Sequence, residues 1–144
     1  MQVRPATMGD AGLLHQWAND PDTRKWSFTT DPIPWDVHMS WLERVLREGV
    51  LLIGEDESGP VGSVRFDADG EVSITVAPAR RGHGLARPML DSALQHSPTR
   101  SVVAYVRPDN EASMRVFGTW SDQGIVRHHG MSVHRFVHGP PLPS

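Results

Sequence analysis

The residues best able to do chemistry together lie in one run, Val76-Ala77-Pro78-Ala79-Arg80-Arg81-Gly82-His83-Gly84-Leu85-Ala86. Strand character ends at Val76, and the pattern predicts a helix opening near Gly84. Two glycines and two arginines stand between. Glycine lets the main chain approach a ligand closely and accepts positive φ. Free N–H groups at a helix start, aided by the helix dipole, bind anions. The run therefore reads as a cradle for a pyrophosphate, with a plain strand–turn–helix junction as the alternative. No lysine–serine/threonine pair follows the glycines, so it is not a Walker loop. No third glycine completes a dinucleotide fingerprint.

Other groups of interest sit upstream and downstream. Glu71, Ser73 and Thr75 alternate along the strand before the loop and so share one side. Asn110 precedes a short helix, and its side chain suits the N-cap ahead of Ser113. Trp26 and Phe28, in a polar loop, offer stacking faces, and Arg24 offers a fork for phosphate or carboxylate. Eight histidines raise the question of a metal. His128 and His129 are adjacent, and on a strand they would point to opposite faces. No carboxylate is spaced with them as a ligand, so no metal site is expected.

The elements that must position these groups follow from periodicity. Gln2 to Pro5 reads as a strand. Asp10 caps a helix carrying Leu13, Leu14 and Trp17, which Asn19-Asp20-Pro21-Asp22 breaks. A polar loop from Thr23 to Pro34 follows. A second helix runs from about Trp35 to Gly49, with Val37, Trp41, Leu42, Val45 and Leu46 on one face. Val50–Gly54, Val61–Phe66 and Glu71–Val76 form an expected β-meander, joined by turn-rich linkers. A helix from about Gly84 to Gln95, a strand Val102 to Val106, and a helix from Asn110 to about Phe117 come next. Ile125–Arg127 and Ser132–Phe136 close as a hairpin. This order predicts an α+β domain, with a mixed, mostly antiparallel sheet of six to seven strands and about four helices.

Composition narrows the function classes. The chain has 144 residues, 38% hydrophobic and 22% charged, which suits one packed domain. That domain is expected over residues 1–138, with 139–144 as a disordered tail. Cysteine is absent, so disulfide frameworks and thiol nucleophiles are excluded. A net charge of −3 argues against phosphate-gripping nucleic-acid binding. No apolar run is long enough for a bilayer, and no apolar signal core follows Met1. A cytoplasmic protein with no membrane partner is expected.

Arg81-Gly82-His83-Gly84-Leu85-Ala86, after a strand and a Val-x-Pro turn, resembles the coenzyme A loop of the GNAT acetyltransferase superfamily. Asn110-Glu111-Ala112-Ser113-Met114-Arg115-Val116-Phe117 resembles that superfamily's second motif. The resemblance spans the whole chain and implies the GNAT fold and an acetyl-CoA-dependent N-acetyltransferase. The main chain of Ile74, Thr75 and Val76 would pair with the pantetheine arm. The N–H groups of Arg81, Gly82, His83, Gly84, Leu85 and Ala86 would hold the pyrophosphate. Asn110 and Ser113 would lie near the pantetheine or the departing thiol. Family members often use a carboxylate near the fourth strand as base, which implies Glu71, although a solvated strand-end glutamate reads the same way. The tyrosine often used as acid is replaced by Phe117, which donates no proton. Tyr105, on the preceding strand, is then either the acid or a core aromatic.

The N-terminal third, with Trp17-Ala18-Asn19-Asp20-Pro21-Asp22-Thr23-Arg24-Lys25-Trp26, resembles the sub-family acetylating nucleotide-linked amino-sugars in pseudaminic acid biosynthesis. That implies an acceptor pocket of Arg24, Trp26, Phe28, His38 and Met39, with His38 also a proton relay. The implied partner is a small-molecule amine, and a homodimer is compatible with it. A protein N-terminal or lysine acetyltransferase and a non-catalytic acyl-CoA-binding module are the alternatives.

Overall fold

The structure is a computed structural model, and it describes residues 1–27 and 30–139. Phe28 and the expected tail beyond Gly139 lie outside the described residues.

The chain begins with β1 (Gln2–Pro5), whose Arg4 donates to both carboxylate oxygens of Asp10 at 2.8 and 2.9 Å. Asp10 also accepts from Thr7 N–H, so it fixes the turn leading into α1 (Ala11–Ala18). These bonds hold the Asp10 carboxyl below the usual carboxylate range, Arg4 contributing most. The expected break after α1 is a second short helix, α2 (Pro21–Lys25). Asp20 caps it by accepting from Asp22 N–H and Thr23 N–H, and Pro21 occupies the first helical position. Proline tolerates that position because its missing N–H would be unpaired there anyway.

Helix α3 (Trp35–Glu48) ends at Gly49. It leads into β2 (Val50–Asp56), β3 (Gly59–Phe66) and β4 (Val72–Val76). With β1 they form an antiparallel sheet in the order β1-β2-β3-β4. After the loop come α4 (Ala86–Ala93), β5 (Val102–Val106), α5 (Glu111–Phe117), β6 (Ser121–His128) and β7 (Met131–His138). The last three strands form a separate antiparallel sheet in the order β5-β7-β6. Strand β6 starts four residues before the expected Ile125. A bulge at Asp122–Ile125, with Gly124 at φ 88°, interrupts the alternation that marks a strand in sequence.

Seven strands are as expected, but the sheet is split and the described helices number five. One parallel bridge, Glu71 to Val103, joins the halves. Beyond it β4 and β5 are edge strands that do not pair with each other. Strand alternation gives the first sheet two covered faces. Leu52, Val64, Phe66 and Val72 pack against Met89, Leu90 and Ala93 of α4. Leu51 and Ile53 pack with Leu14 and Trp17 of α1 and Leu42 of α3. On that second face Arg65 sits opposite both Leu51 and Ser73, so a polar strip lies under helices α1 and α3.

Candidate functional site

A cleft of about 1300 Å³ opens where β4 and β5 part. Its first wall is the glycine loop. Gly82 and Gly84 take φ values of 79° and 69°, in the left-handed region where a side chain is strained. A Cβ at either would meet no atom within 4 Å, so the bare main chain faces open space. Helix α4 starts at Ala86, two residues later than expected, because these glycines cannot continue a right-handed helix outward. Its N-cap is Leu85, whose side chain makes no capping bond, and the first-turn N–H groups stay available for an anion.

Arginines hold this loop in place. Arg80 is paired with Asp56 and donates to the carbonyls of Gly59 and Pro60, tying the loop to the β2–β3 turn. Arg81 donates to Asp20 Oδ2 at 2.8 Å and Thr23 Oγ1 at 3.1 Å, tying it to α2. Arg87 donates to the carbonyls of Arg115 and Val116 at the end of α5. His83 is exposed on the loop and does not line the cleft.

The strand leading to the loop contributes residues of both its faces to the cleft. Glu71, Ser73 and Thr75 line the cleft, together with Ile74 and Val76. The Glu71 carboxylate lies 3.3 Å from His128 Nε2. Tyr105 stacks on the His128 ring, with centroids 3.8 Å apart and planes 11° apart. His128 thus joins the two candidate catalytic residues, a role its sequence position does not signal. Nothing local marks it, because its partner is 57 residues away. His128 ends β6 and His129 opens the turn to β7, as the expected hairpin requires. His129 has φ 49° in the β6–β7 turn, which brings the two rings edge to face at 4.3 Å. Among the described residues no three metal-ligating side chains gather.

Asn110 Oδ1 accepts from Ser113 N–H at 3.3 Å, and both residues line the cleft, so capping and site placement coincide. Phe117 is buried in the main core, edge to face with Trp120.

Of the acceptor candidates, Arg24, Trp26 and His38 line this same cleft. Trp26 lines the cleft between the Lys25 ammonium and the Arg107 guanidinium, 4.9 and 5.3 Å from its ring centroid. Arg24 also lines the cleft, but its guanidinium donates to Ala18 O, Asp31 O and Ser27 Oγ. Its fork stitches the loop rather than reaching outward. Asn19 and His15 add to the stitching through the carbonyl of Ile33. Met39 is corrected: it packs on the core under α1 and α3 and is not part of the cleft wall.

His38 lies in the cleft wall at 2% exposure, between His15 and Trp41. Its Nε2 has no hydrogen-bond partner among the described residues. Burial, then the nearby His15, pushes its pKa below the ordinary 6.5. The folded protein therefore keeps His38 neutral where the unfolded chain protonates it. Stability from this difference is full above pH 6.5 and is lost as pH falls below it. The melting temperature should drop more steeply from pH 7 to pH 5 in the wild type than in His38→Phe. Equal slopes would mean that His38 titrates as it does in the unfolded chain.

Comparisons with known proteins agree with this geometry. Over 101 residues the chain is 29% identical to a relative from Bacillus subtilis whose provisional name is phosphinothricin acetyltransferase. The match takes in 61% of this chain and 62% of the relative, so the chain spans about three fifths of that curated protein. The fold is similar to an aminoglycoside acetyltransferase in complex with coenzyme A, with TM-score 0.81, 16% identity, and 96% and 94% of the two chains covered. It is also similar to spermidine N-acetyltransferase from Vibrio cholerae in complex with CoA and spermine, with TM-score 0.80, 18% identity, and 96% and 94% covered. The family model described as acetyltransferase (GNAT) domain matches residues 1–119, which run from β1 through the glycine loop to the end of α5, and the chain therefore belongs to that family.

Proposed function

We propose that the protein is an acetyl-CoA-dependent N-acetyltransferase that acts on the primary amine of a small molecule by direct attack in a ternary complex. The observation that carries this reading is one continuous unit. An unpaired β4 edge leads into a loop of bare glycine backbone and an uncapped helix start, with Glu71 at the strand's far end. The fit of the residues to acetyl-CoA rests on the same features: main chain for the pantetheine, and N–H groups with helix dipole for the pyrophosphate. Acetyl-CoA would supply an activated acyl group as a thioester.

The chain's own residues supply the rest. Glu71 accepts the amine proton, directly or through water, and His128 orients its carboxylate. Tyr105, stacked on His128 at the cleft, is placed to return a proton to the leaving thiolate. Asn110 and Ser113 flank the cofactor arm. His38, kept neutral, offers its unpartnered Nε2 as a hydrogen-bond partner to a group that enters the cleft.

The decisive assay measures free-thiol release from acetyl-CoA across a panel of primary amines, with mass spectrometry of the amine. Amine-dependent release with acetylated product is expected. Tight acetyl-CoA binding without release would identify a non-catalytic acyl-CoA-binding module instead.

A nucleotide-linked amino-sugar is a second reading of the acceptor, favoured by the stacking face that Trp26 presents to the cleft. Arg24 contributes to either acceptor by ordering the loop. Arg24→Ala should lower the acceptor kcat/KM at least about tenfold with acetyl-CoA affinity kept. Unchanged kinetics with the best acceptor would remove Arg24 and its loop from the acceptor site.

A further inference from the structure

Arg65 is the feature that neither the loop chemistry nor the Glu71 assignment uses. It stands on β3 opposite Ser73, half-buried on the face covered by α1 and α3, and it lines the cleft. Its side chain makes one hydrogen bond among the described residues, donated to Ser73 Oγ at 3.2 Å. Among the described residues no carboxylate lies within 4 Å of it. The other arginines of the cleft differ: Arg80, Arg81 and Arg107 are paired with aspartates, Arg24 and Arg87 donate to carbonyls, and Arg115 is exposed to solvent. Even Glu71, on the same sheet face, is bonded to His128 rather than to Arg65. A guanidinium with most of its donors unused, removed in part from water, is costly unless a ligand pairs with it.

Its surroundings define that ligand. Same-face neighbours on a strand are about 7 Å apart, so Arg65, across from Ser73, stands roughly one small molecule from Glu71. That separation suits a molecule bearing an anion at one end and an amine at the other, a few bonds apart. The opposite wall is apolar and aromatic, with Leu14, Trp17, Val37 and Trp41. The carboxylates lining the cleft are Asp22 and Glu71, and Asp22 is already within 3.4 Å of Arg81. A polyamine's second ammonium would therefore find no partner here.

We infer that the acceptor is an α-amino acid with an apolar or aromatic side chain, its carboxylate held by Arg65 and its amine presented to Glu71. This rests on the acetyltransferase reading above and sharpens its acceptor. Arginine grips a carboxylate through two parallel N–H bonds, which fixes the amine's position as well as its affinity.

The test compares matched pairs of acceptors in the thiol-release assay: L-phenylalanine against 2-phenylethylamine, and L-methionine against 3-(methylthio)propylamine, with spermidine alongside. In the wild type, kcat/KM for the amino acid should exceed that for its decarboxylated partner by about a hundredfold or more. In Arg65→Gln the ratio should collapse to within about fivefold, and Arg65→Lys should restore part of it, as a charge without the fork. Acetyl-CoA affinity, read by titration calorimetry, should be the same in all three. Preference for the decarboxylated amines or spermidine, turnover of none of them by a protein that binds acetyl-CoA, or a ratio that survives Arg65→Gln would overturn the inference. Failure to bind acetyl-CoA at all would overturn the underlying reading as well, so the two failures are distinguishable.

Discussion

Glu71→Gln should lower the turnover number with the best amine by about 10²–10⁴-fold and leave acetyl-CoA affinity nearly unchanged. The glutamine keeps the size and the strand position but cannot take a proton. Glu71 is well anchored for the task. Its N–H donates to Asp67 Oδ1 at 3.0 Å, its backbone bridges to Val103, and its carboxylate faces His128. The defect should shrink at high pH, where more of the amine arrives already neutral. His128→Ala should produce a smaller loss in the same direction, because it removes the orienting partner and keeps the carboxylate. A Glu71→Gln protein with full turnover across pH 6 to 9 would assign the proton transfer to another group.

The second large effect is at the loop. Gly84→Val should raise the acetyl-CoA dissociation constant at least about tenfold, equivalent to about 1.4 kcal/mol. Two causes act together. A β-branched residue is strained at φ 69°, and its side chain would fill the open space over the loop where the pyrophosphate is expected. Gly130→Val is the control. Gly130 has φ 77° and open space around its Cβ, but it lies in the β6–β7 turn. It should lose stability without losing acetyl-CoA affinity. Equal affinity in wild type and Gly84→Val would sink the loop assignment.

The parts of the fold legible in the sequence were those with local signals. The 3-4 spacing of Trp41, Leu42, Val45 and Leu46 marked α3, and turn residues bracketed β3 and β4. Helix α2 was missed although Asp20 and Pro21 are a sound cap and first position, because five residues are too few to show a periodic face. The split between β4 and β5 left no trace, since pairing between distant strands is a tertiary choice. The same distinction runs through the site. The glycine loop is contiguous and was readable. The Glu71–His128–Tyr105 arrangement is assembled from three strands, and His128 lies beyond the residues that the family model matches. Arg24 lines the cleft as its place on an aromatic loop suggests, but the local hydrogen bonds of its guanidinium leave no signal in the sequence. Its donors go to Ala18, Ser27 and Asp31, all within seven residues. Arg65 carried a weak signal in its alternation with Ser63, which places polar side chains on a strand face that helices cover.

The central claim is that the unpaired β4 edge and the loop after it form the acetyl-CoA site. Amide chemical-shift mapping during an acetyl-CoA titration tests it most directly. The largest shifts should fall on the amides of Ile74 to Val76 and Gly82 to Arg87, and they should saturate together at one equivalent. Shifts concentrated elsewhere, with those two segments unmoved, would contradict it.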